Sequence, residues 1–224
     1  PVAVADGGEG FATDEDTPLQ TPSLLANDSD VDANDSLSIT AINGTEITPG
    51  TPITLASDAS LTVNPDGTLA YDPTPAFNAL RDGESATESL EYTLSDGNGG
   101  TATGTVEIVV AGVNDVPVAQ DDSGDGFTTS EAEVLTTAVV TTNDLDPDAG
   151  DILTITQVNG SPITVNAPIT LESGAQLSLN GDNSFTYDPA GAFSSLVDGE
   201  TATEAFSYTV ADSSGASDTA AVEI

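Results

Sequence analysis

The chain has 224 residues, of which 38 are Asp or Glu and one is basic, and its formal net charge at pH 7 is −37. With Arg81 as its only basic side chain, it cannot neutralise the phosphates of a nucleic acid or bind an anionic membrane surface. It contains no Cys and no His, which excludes disulfides, thiol catalysis and the usual zinc sites. We therefore expect neither nucleic acid nor a membrane as a partner.

The first half of the chain predicts short β-strands separated by turns. Apolar and polar side chains alternate in the strand candidates, and Asn43-Gly44 and the Gly-rich segment 96–100 are typical of hairpin turns. Only residues 76–80 are compatible with a helical turn. Several short strands within about 100 residues favour a β-sandwich. The strand candidates are residues 37–42, 61–63, 68–71, 90–94 and 101–110.

The apolar residues of these segments predict the core of the sandwich. The four tyrosines occupy strand positions that recur along the chain, and we therefore assign them to the core rather than to a sugar-binding surface. The predicted core residues are Phe11, Leu19, Leu37, Ile39, Leu61, Leu69, Tyr71, Phe77, Leu90, Tyr92, Val106 and Ile108.

The second half of the chain repeats the first. Pro-Val-Ala at residues 1–3 reappears at 117–119, and Tyr-Asp-Pro at 71–73 reappears at 187–189, an offset of 116 residues (117 − 1). The offset holds without a gap to the end of the chain, and such a repeat decides the architecture.

The repeat predicts two all-β domains, residues 1–112 and 117–224, joined by a linker at 113–116. The last residue of the second copy, Ile224, is the counterpart of Ile108. We therefore interpret the chain as two units of a longer array.

Acidic residues are concentrated in one loop of each copy. Ionised Asp residues two positions apart repel by a few kcal/mol per pair at an effective dielectric of about 20, so a cation would stabilise the loop. Calcium takes about six to eight oxygen ligands and is bound by such loops, whereas the alternative is a solvated acidic loop without an ion. An EF-hand is excluded, because its sixth position would be Ala33 or Ala149 instead of Gly. The loop acids are Asp28, Asp30, Asp32 and Asp35 in the first copy and Asp144, Asp146, Asp148 and Asp151 in the second.

Several segments resemble one family. Residues 92–103 (Tyr-Thr-Leu-Ser-Asp-Gly-Asn-Gly-Gly-Thr-Ala-Thr) and 112–119 (Gly-Val-Asn-Asp-Val-Pro-Val-Ala) are similar to bacterial cadherin-like repeats, and most of all to the VCBS repeats of large bacterial surface and biofilm adhesins. The pair Asn43-Gly44 and the segment 82–87 also fit that repeat, and the resemblance covers nearly the whole chain twice. It implies two tandem Greek-key sandwiches of cadherin type with calcium at the junction between domains.

The resemblance also implies the calcium ligands. Gly112 and Val116 depart from the cadherin linker pattern, which has Asp and Asn at these places. Weaker sites are implied at the free ends, with Asp28, Asp30, Asp32 and Asp96 at one end and Glu131, Asp198 and Glu200 at the other. The implied interdomain ligands are Glu15, Asp82, Glu84, Asn114, Asp115, Asp144, Asp146 and Asp212.

These observations favour a monomeric, calcium-stiffened extender of a secreted or surface-attached bacterial adhesin, whose partners are neighbouring repeats. The alternative is a calcium-dependent carbohydrate-binding module that contacts polysaccharide. We expect no enzymatic activity, because without His, Cys and Lys only carboxylate chemistry remains. Asp122-Ser123-Gly124 matches an aspartic-protease signature, but the first copy reads Asp6-Gly7-Gly8 at that place.

Overall fold

The computed structural model describes residues 1–32 and 34–224, and it is built from β-strands as the sequence predicts. The chain divides into two compact units, unit 1 (Pro1–Asn114) and unit 2 (Asp115–Ile224). None of the helices in the described ranges has the length and apolar character needed to cross a membrane.

Unit 1 is a sandwich of two sheets. One sheet has the strand order β1-β9-β8-β3-β4 and the other β2-β7-β6-β5, with every pair antiparallel except β1 and β9. The strands are β1 (Ala12–Asp14), β2 (Leu19–Gln20), β3 (Ser38–Ile42), β4 (Thr45–Glu46), β5 (Ile53–Thr54), β6 (Ser60–Val63), β7 (Leu69–Asp72), β8 (Ser85–Ser95) and β9 (Thr101–Ala111).

Unit 2 repeats this architecture. Its sheets have the orders β12-β11-β16-β17 and β10-β15-β14-β13. In unit 1, β1 pairs with residues 109–111 at the end of β9. Residues 128–130, the counterparts of β1, form no strand, and β17 does not extend to the counterparts of residues 109–111. The strands are β10 (Leu135–Thr136), β11 (Thr154–Val158), β12 (Ser161–Pro162), β13 (Ile169–Thr170), β14 (Gln176–Leu179), β15 (Phe185–Asp188), β16 (Ala205–Ala211) and β17 (Ser217–Glu223).

The core of each unit lies between its two sheets, where strand periodicity points alternate side chains inward. In β8, for example, Leu90, Tyr92 and Leu94 are each at most 1% exposed. Of the predicted core of unit 1, nine residues are buried, whereas Leu19, Leu37 and Phe77 are only partly buried. These three pack at the edge of the core, which alternation alone does not distinguish from its centre.

The short helices do not lie at residues 76–80, where the sequence allows a helical turn. Residues 76–80 form hydrogen-bonded turns, in which the Leu80 amide donates to the Phe77 carbonyl (3.0 Å), and not a helix. Short 3-10 helices lie instead at Leu24–Ala26 and Val140–Thr142, just before each acidic loop. In both, one apolar residue is fully buried, so tertiary packing rather than helical periodicity fixes them.

Candidate metal centre

Three carboxylates of unit 2 come together at one end of its sandwich. Asp146, Asp151 and Asp212 each offer an oxygen, and these oxygens all lie within 4.8 Å of one another. The first two belong to the loop before β11, and Asp212 follows the last residue of β16. The amides of Ser214 and Ala216 both donate to Asp212 Oδ1 (2.9 Å each), so the turn between β16 and β17 fixes this carboxylate.

Unit 1 builds the same cluster from the counterparts Asp30, Asp35 and Asp96. Asp96 Oδ1 accepts hydrogen bonds from the amides of Asn98 (2.8 Å) and Gly100 (2.9 Å), as Asp212 does in its own turn. The amino terminus lies 2.8 Å from Asp30 Oδ2 and lowers the pKa of Asp30. Because two units form the same group, it is a property of the repeated sequence and not of one loop.

Residues 115–224 contain no Lys or Arg, so unit 2 itself supplies no basic side chain to its cluster. Among the described residues, Asp146 Oδ2 and Asp148 Oδ1 are buried and have no hydrogen-bond partner. Burial raises the pKa of Asp146, and the three neighbouring carboxylates raise it further, against the hydrogen bond from the Asp148 amide. Buried carboxylate oxygens of this kind fit a hard cation with oxygen ligands, such as Ca²⁺.

The first residue of unit 2 also lies against the acidic loop. The Asp115 amide donates to Asp148 Oδ2 (3.0 Å), and each of these two residues offers a carboxylate oxygen within 4.8 Å of the other. Asp148 is 2% exposed. The start of unit 2 is therefore held by the loop that carries the carboxylate cluster.

The clusters differ in membership from the implied ligand set. They contain Asp35 and Asp151, which the resemblance did not assign as ligands, and they leave out Asp28 and Asp144. Asp144 Oδ1 instead accepts hydrogen bonds from the Gln120 amide (2.8 Å) and the Tyr208 hydroxyl (2.9 Å). Asp35 and Asp151 occupy equivalent positions in the two copies, and this recurrence is the sequence signal that could have identified them as members of the clusters.

Glu15, an implied ligand of unit 1, is fully buried. Glu15 Oε1 accepts a hydrogen bond from the Val113 amide (2.9 Å), and Oε2 accepts one from the Leu80 amide (3.3 Å). This carboxylate therefore attaches the segment after β9 to the turn at 76–80. Of the others, Asn114 and Asp115 are half-buried, and Asp32, Asp82, Glu84, Glu131, Asp198 and Glu200 are exposed.

Glu84 has a separate role. Its Oε2 accepts a hydrogen bond from the Arg81 amide (3.2 Å), and its carbonyl accepts one from the Gly112 amide (2.9 Å). A Cβ at Gly112 would lie 2.2 Å from the Arg81 carbonyl oxygen, so only glycine fits. The departure from the linker pattern at 112 thus has a steric cause in unit 1.

The aromatic residues offer no platform for sugar stacking. All four tyrosines are buried, and across the described ranges no Phe or Tyr side chain is exposed.

A groove of about 580 Å³ opens in unit 2 at the end of the sandwich opposite the carboxylate cluster. Tyr187, Phe193 and Leu196 contribute to its lining.

A family model described as a bacterial cadherin-like domain matches residues 1–112 and again residues 114–224. The chain is 27% identical over 221 residues to the "Calcium-binding lectin RapA2" of Rhizobium johnstonii, covering 92% of this chain and 89% of the relative.

Solved structures similar to the chain include Drosophila N-cadherin EC1-4 (15% identity, TM-score 0.42, 99% of this chain and 46% of that one). Another is mouse clustered PcdhgC3 EC1-3 (13% identity, TM-score 0.44, 98% of this chain and 64% of that one). The chain spans less than two thirds of the length of either structure.

Proposed function

The chain belongs to the bacterial cadherin-like domain family, and we propose that it is a calcium-binding, calcium-rigidified extender module of a large bacterial cell-surface adhesin. The observation that carries the proposal is the carboxylate cluster that recurs in both units, together with a buried oxygen of Asp146 in that cluster and one of Asp148 beside it, both of which lack a hydrogen-bond partner among the described residues. The naming of a 27% identical relative as a calcium-binding lectin supports the choice of ion.

In unit 2, Asp146, Asp151 and Asp212 would hold the ion, and in unit 1 Asp30, Asp35 and Asp96 would hold its counterpart. Calcium supplies the positive charge that the chain lacks. The protein's own contribution is to fix the carboxylates before the ion binds. The backbone amides of the β16–β17 turn orient Asp212, and the Asp148 amide donates to Asp146 Oδ1 (3.0 Å).

We place the mechanical role of calcium at the linker. Glu15 binds the Val113 amide and Asp148 binds the Asp115 amide, so each end of the linker is attached to its own unit by a carboxylate. Without a cation, the acids implied as interdomain ligands repel one another and the linker bends. With calcium bound by these acids, the angle between the units is fixed. The acids are Glu15, Asp82, Glu84, Asp115, Asp146 and Asp212, together with the Asn114 side chain. Asp144, which the resemblance also implied, instead accepts hydrogen bonds from the Gln120 amide and the Tyr208 hydroxyl.

Small-angle scattering tests this role. The unaltered chain should be flexible in chelator and rigid in calcium, and the double variant Asp115→Asn/Asp146→Asn should remain flexible in both. The double variant Glu46→Gln/Glu172→Gln is the matched control, because both side chains are exposed and the change in charge is the same. A double variant as rigid in calcium as the control would show that these acids form only a solvated surface.

The setting follows from this role. We place the parent protein outside the bacterial cell, secreted or at the cell surface, with neighbouring repeats of the same chain as the partners of each unit. The module itself is monomeric and does no chemistry. Its effect is to carry the binding region of the adhesin away from the cell, in adhesion or biofilm formation.

A calcium-dependent carbohydrate-binding module is the second candidate, and the word lectin in the relative's name favours it. Since no aromatic side chain is exposed in the described ranges, a sugar would have to bind through polar groups and the ion. A polysaccharide array in calcium, in chelator and with the double variant Asp30→Asn/Asp146→Asn, which alters the cluster of each unit, separates the two functions. Saturable binding that chelator and the double variant both abolish would establish the second, whereas an array without signal leaves the extender role.

A further inference from the structure

The first Asp of the acidic loop in unit 2 is held from two directions. The hydroxyl of Tyr208, a fully buried residue of β16, lies 2.9 Å from Asp144 Oδ1 and 3.1 Å from Oδ2. It also lies 3.1 Å from the Gln120 carbonyl oxygen, while the Gln120 amide donates to Asp144 Oδ1 (2.8 Å). Next to this group, the amide and carbonyl of Val118 pair with those of Leu145 (2.7 and 3.0 Å). The beginning of unit 2, the loop and β16 therefore meet at one hydroxyl.

Unit 1 has the same arrangement. The Tyr92 hydroxyl lies 3.1 and 3.2 Å from the Asp28 carboxylate oxygens and 2.9 Å from the Val4 carbonyl. The Val4 amide donates to Asp28 Oδ1 (2.8 Å), and Val2 pairs with Ser29 through two backbone hydrogen bonds (2.7 and 3.1 Å). The recurrence of these contacts indicates that the arrangement is a feature of the repeat.

The arrangement links the two sides of the carboxylate cluster. Asp144 stands two residues before Asp146, and Tyr208 stands four residues before Asp212. Because β16 carries the hydroxyl and leads directly into Asp212, a hydrogen bond from that hydroxyl to Asp144 sets where Asp146 lies relative to Asp212. Tyr208 is not itself a member of the cluster, which consists of Asp146, Asp151 and Asp212.

We propose that Tyr208, acting through Asp144, is a positioning residue for the metal centre of unit 2, and that Tyr92 does the same in unit 1 through Asp28. The inference rests on the proposed calcium function. Asp144 then orients the loop and the start of the unit, while Asp146 binds the ion. Partners that orient metal ligands without touching the ion characteristically contribute about 10- to 100-fold to metal affinity.

Burial of an aromatic ring alone does not explain this tyrosine, because phenylalanine would fill the core equally well. The other two tyrosines illustrate the difference. Within the described part of the chain, the Tyr71 hydroxyl has no hydrogen-bond partner, and the Tyr187 hydroxyl has only a long contact with Glu204 (3.5 Å). Tyr187→Phe is therefore a control in the same unit, with the same loss of one oxygen from a buried ring.

The test is a calcium titration of the full chain followed by amide NMR, which reports the two units separately. Gly215 lies in the turn after Asp212, and Gly99 lies in the corresponding turn of unit 1. Tyr208→Phe should weaken the binding reported by Gly215 about tenfold and leave that reported by Gly99 unchanged. Tyr92→Phe should do the reverse, and Tyr187→Phe should change neither.

The outcomes separate the two claims. If the unaltered chain shows no saturable calcium binding, the proposed function and this inference both fail. If the unaltered chain binds calcium and Tyr208→Phe binds it equally well at Gly215, only the positioning role is overturned. If Tyr187→Phe weakens the binding as much as Tyr208→Phe does, the effect is a general loss of packing and the positioning role is likewise overturned.

Discussion

Asp122 should make unit 2 less stable as the pH rises. This side chain is 8% exposed, and burial raises its pKa from 3.8 to about 6, with the Asp144 and Asp121 carboxylates adding to the shift. Among the described residues, its Oδ2 has no hydrogen-bond partner. The charged form is therefore less favourable in the folded unit than in the unfolded chain.

Proton linkage gives the sign and size of the change in the free energy of unfolding with pH. The folded pKa lies above the unfolded one, so between about pH 4 and pH 6 the folded unit binds more protons and its free energy of unfolding decreases as the pH rises. A shift from 3.8 to about 6 corresponds to at most about 3 kcal/mol. Asp122→Asn removes the ionisation and keeps the shape, so it should stabilise unit 2 at pH 7 and weaken the pH dependence.

The assay is urea unfolding of the full chain in calcium-free buffer at pH 4.5, 5.5, 6.5 and 7.5, with unit 2 followed by its amide NMR signals. Asp125→Asn is the control, because this exposed neighbour loses the same charge. The stability gain of Asp122→Asn over the unaltered chain should grow from pH 4.5 to about pH 6.5 and then level off. A constant difference between the two, or an equal gain in the control, would refute the reasoning.

Three further predictions concern the metal and the linker. A ligand at about 100 times its Kd stabilises a fold by about 2.7 kcal/mol. The midpoints of thermal melts followed by tyrosine fluorescence should therefore be higher in calcium than in chelator. An equal rise of the midpoint in NaCl of the same ionic strength would indicate charge screening alone. Asp146→Asn should abolish the calcium-induced shift in unit 2 but not in unit 1, while Glu172→Gln should preserve both; equal shifts in the two variants would exclude Asp146 as a ligand. Gly112→Ala should destabilise unit 1 by about 1–3 kcal/mol, because its Cβ would lie 2.2 Å from the Arg81 carbonyl oxygen; urea midpoints measure this, and an unchanged midpoint would contradict the contact.

The sequence identified the sandwich because its cause is local. Alternation in β8 and β9 and the Asn43-Gly44 turn specify strands and hairpins without knowledge of the partner strand. The partly buried edge residues Leu37 and Phe77 were not separable from the core, because alternation reports which face a residue is on and not how far it lies from the centre.

The acidic residues lie in a loop before a strand in each unit, as the sequence predicts, but their spacing could not show which carboxylates converge. Asp144 and Asp146 alternate in sequence in the same way, yet one lies against Tyr208 and the other faces Asp212. The hydroxyl that Asp144 contacts lies 64 residues away in the chain, so the spacing of the loop acids does not reveal it. Glu15 likewise accepts its hydrogen bonds from the Val113 and Leu80 amides, which are distant from it in sequence.

Isothermal titration of calcium into the chelator-stripped chain, with magnesium as the comparison ion, is the most direct test of calcium binding. We expect saturable calcium binding with a Kd of about 10⁻⁴ to 10⁻³ M, as is typical of extracellular modules, and loss of the unit 2 site in Asp146→Asn. Binding that is absent, or that Asp146→Asn leaves intact, would contradict this expectation.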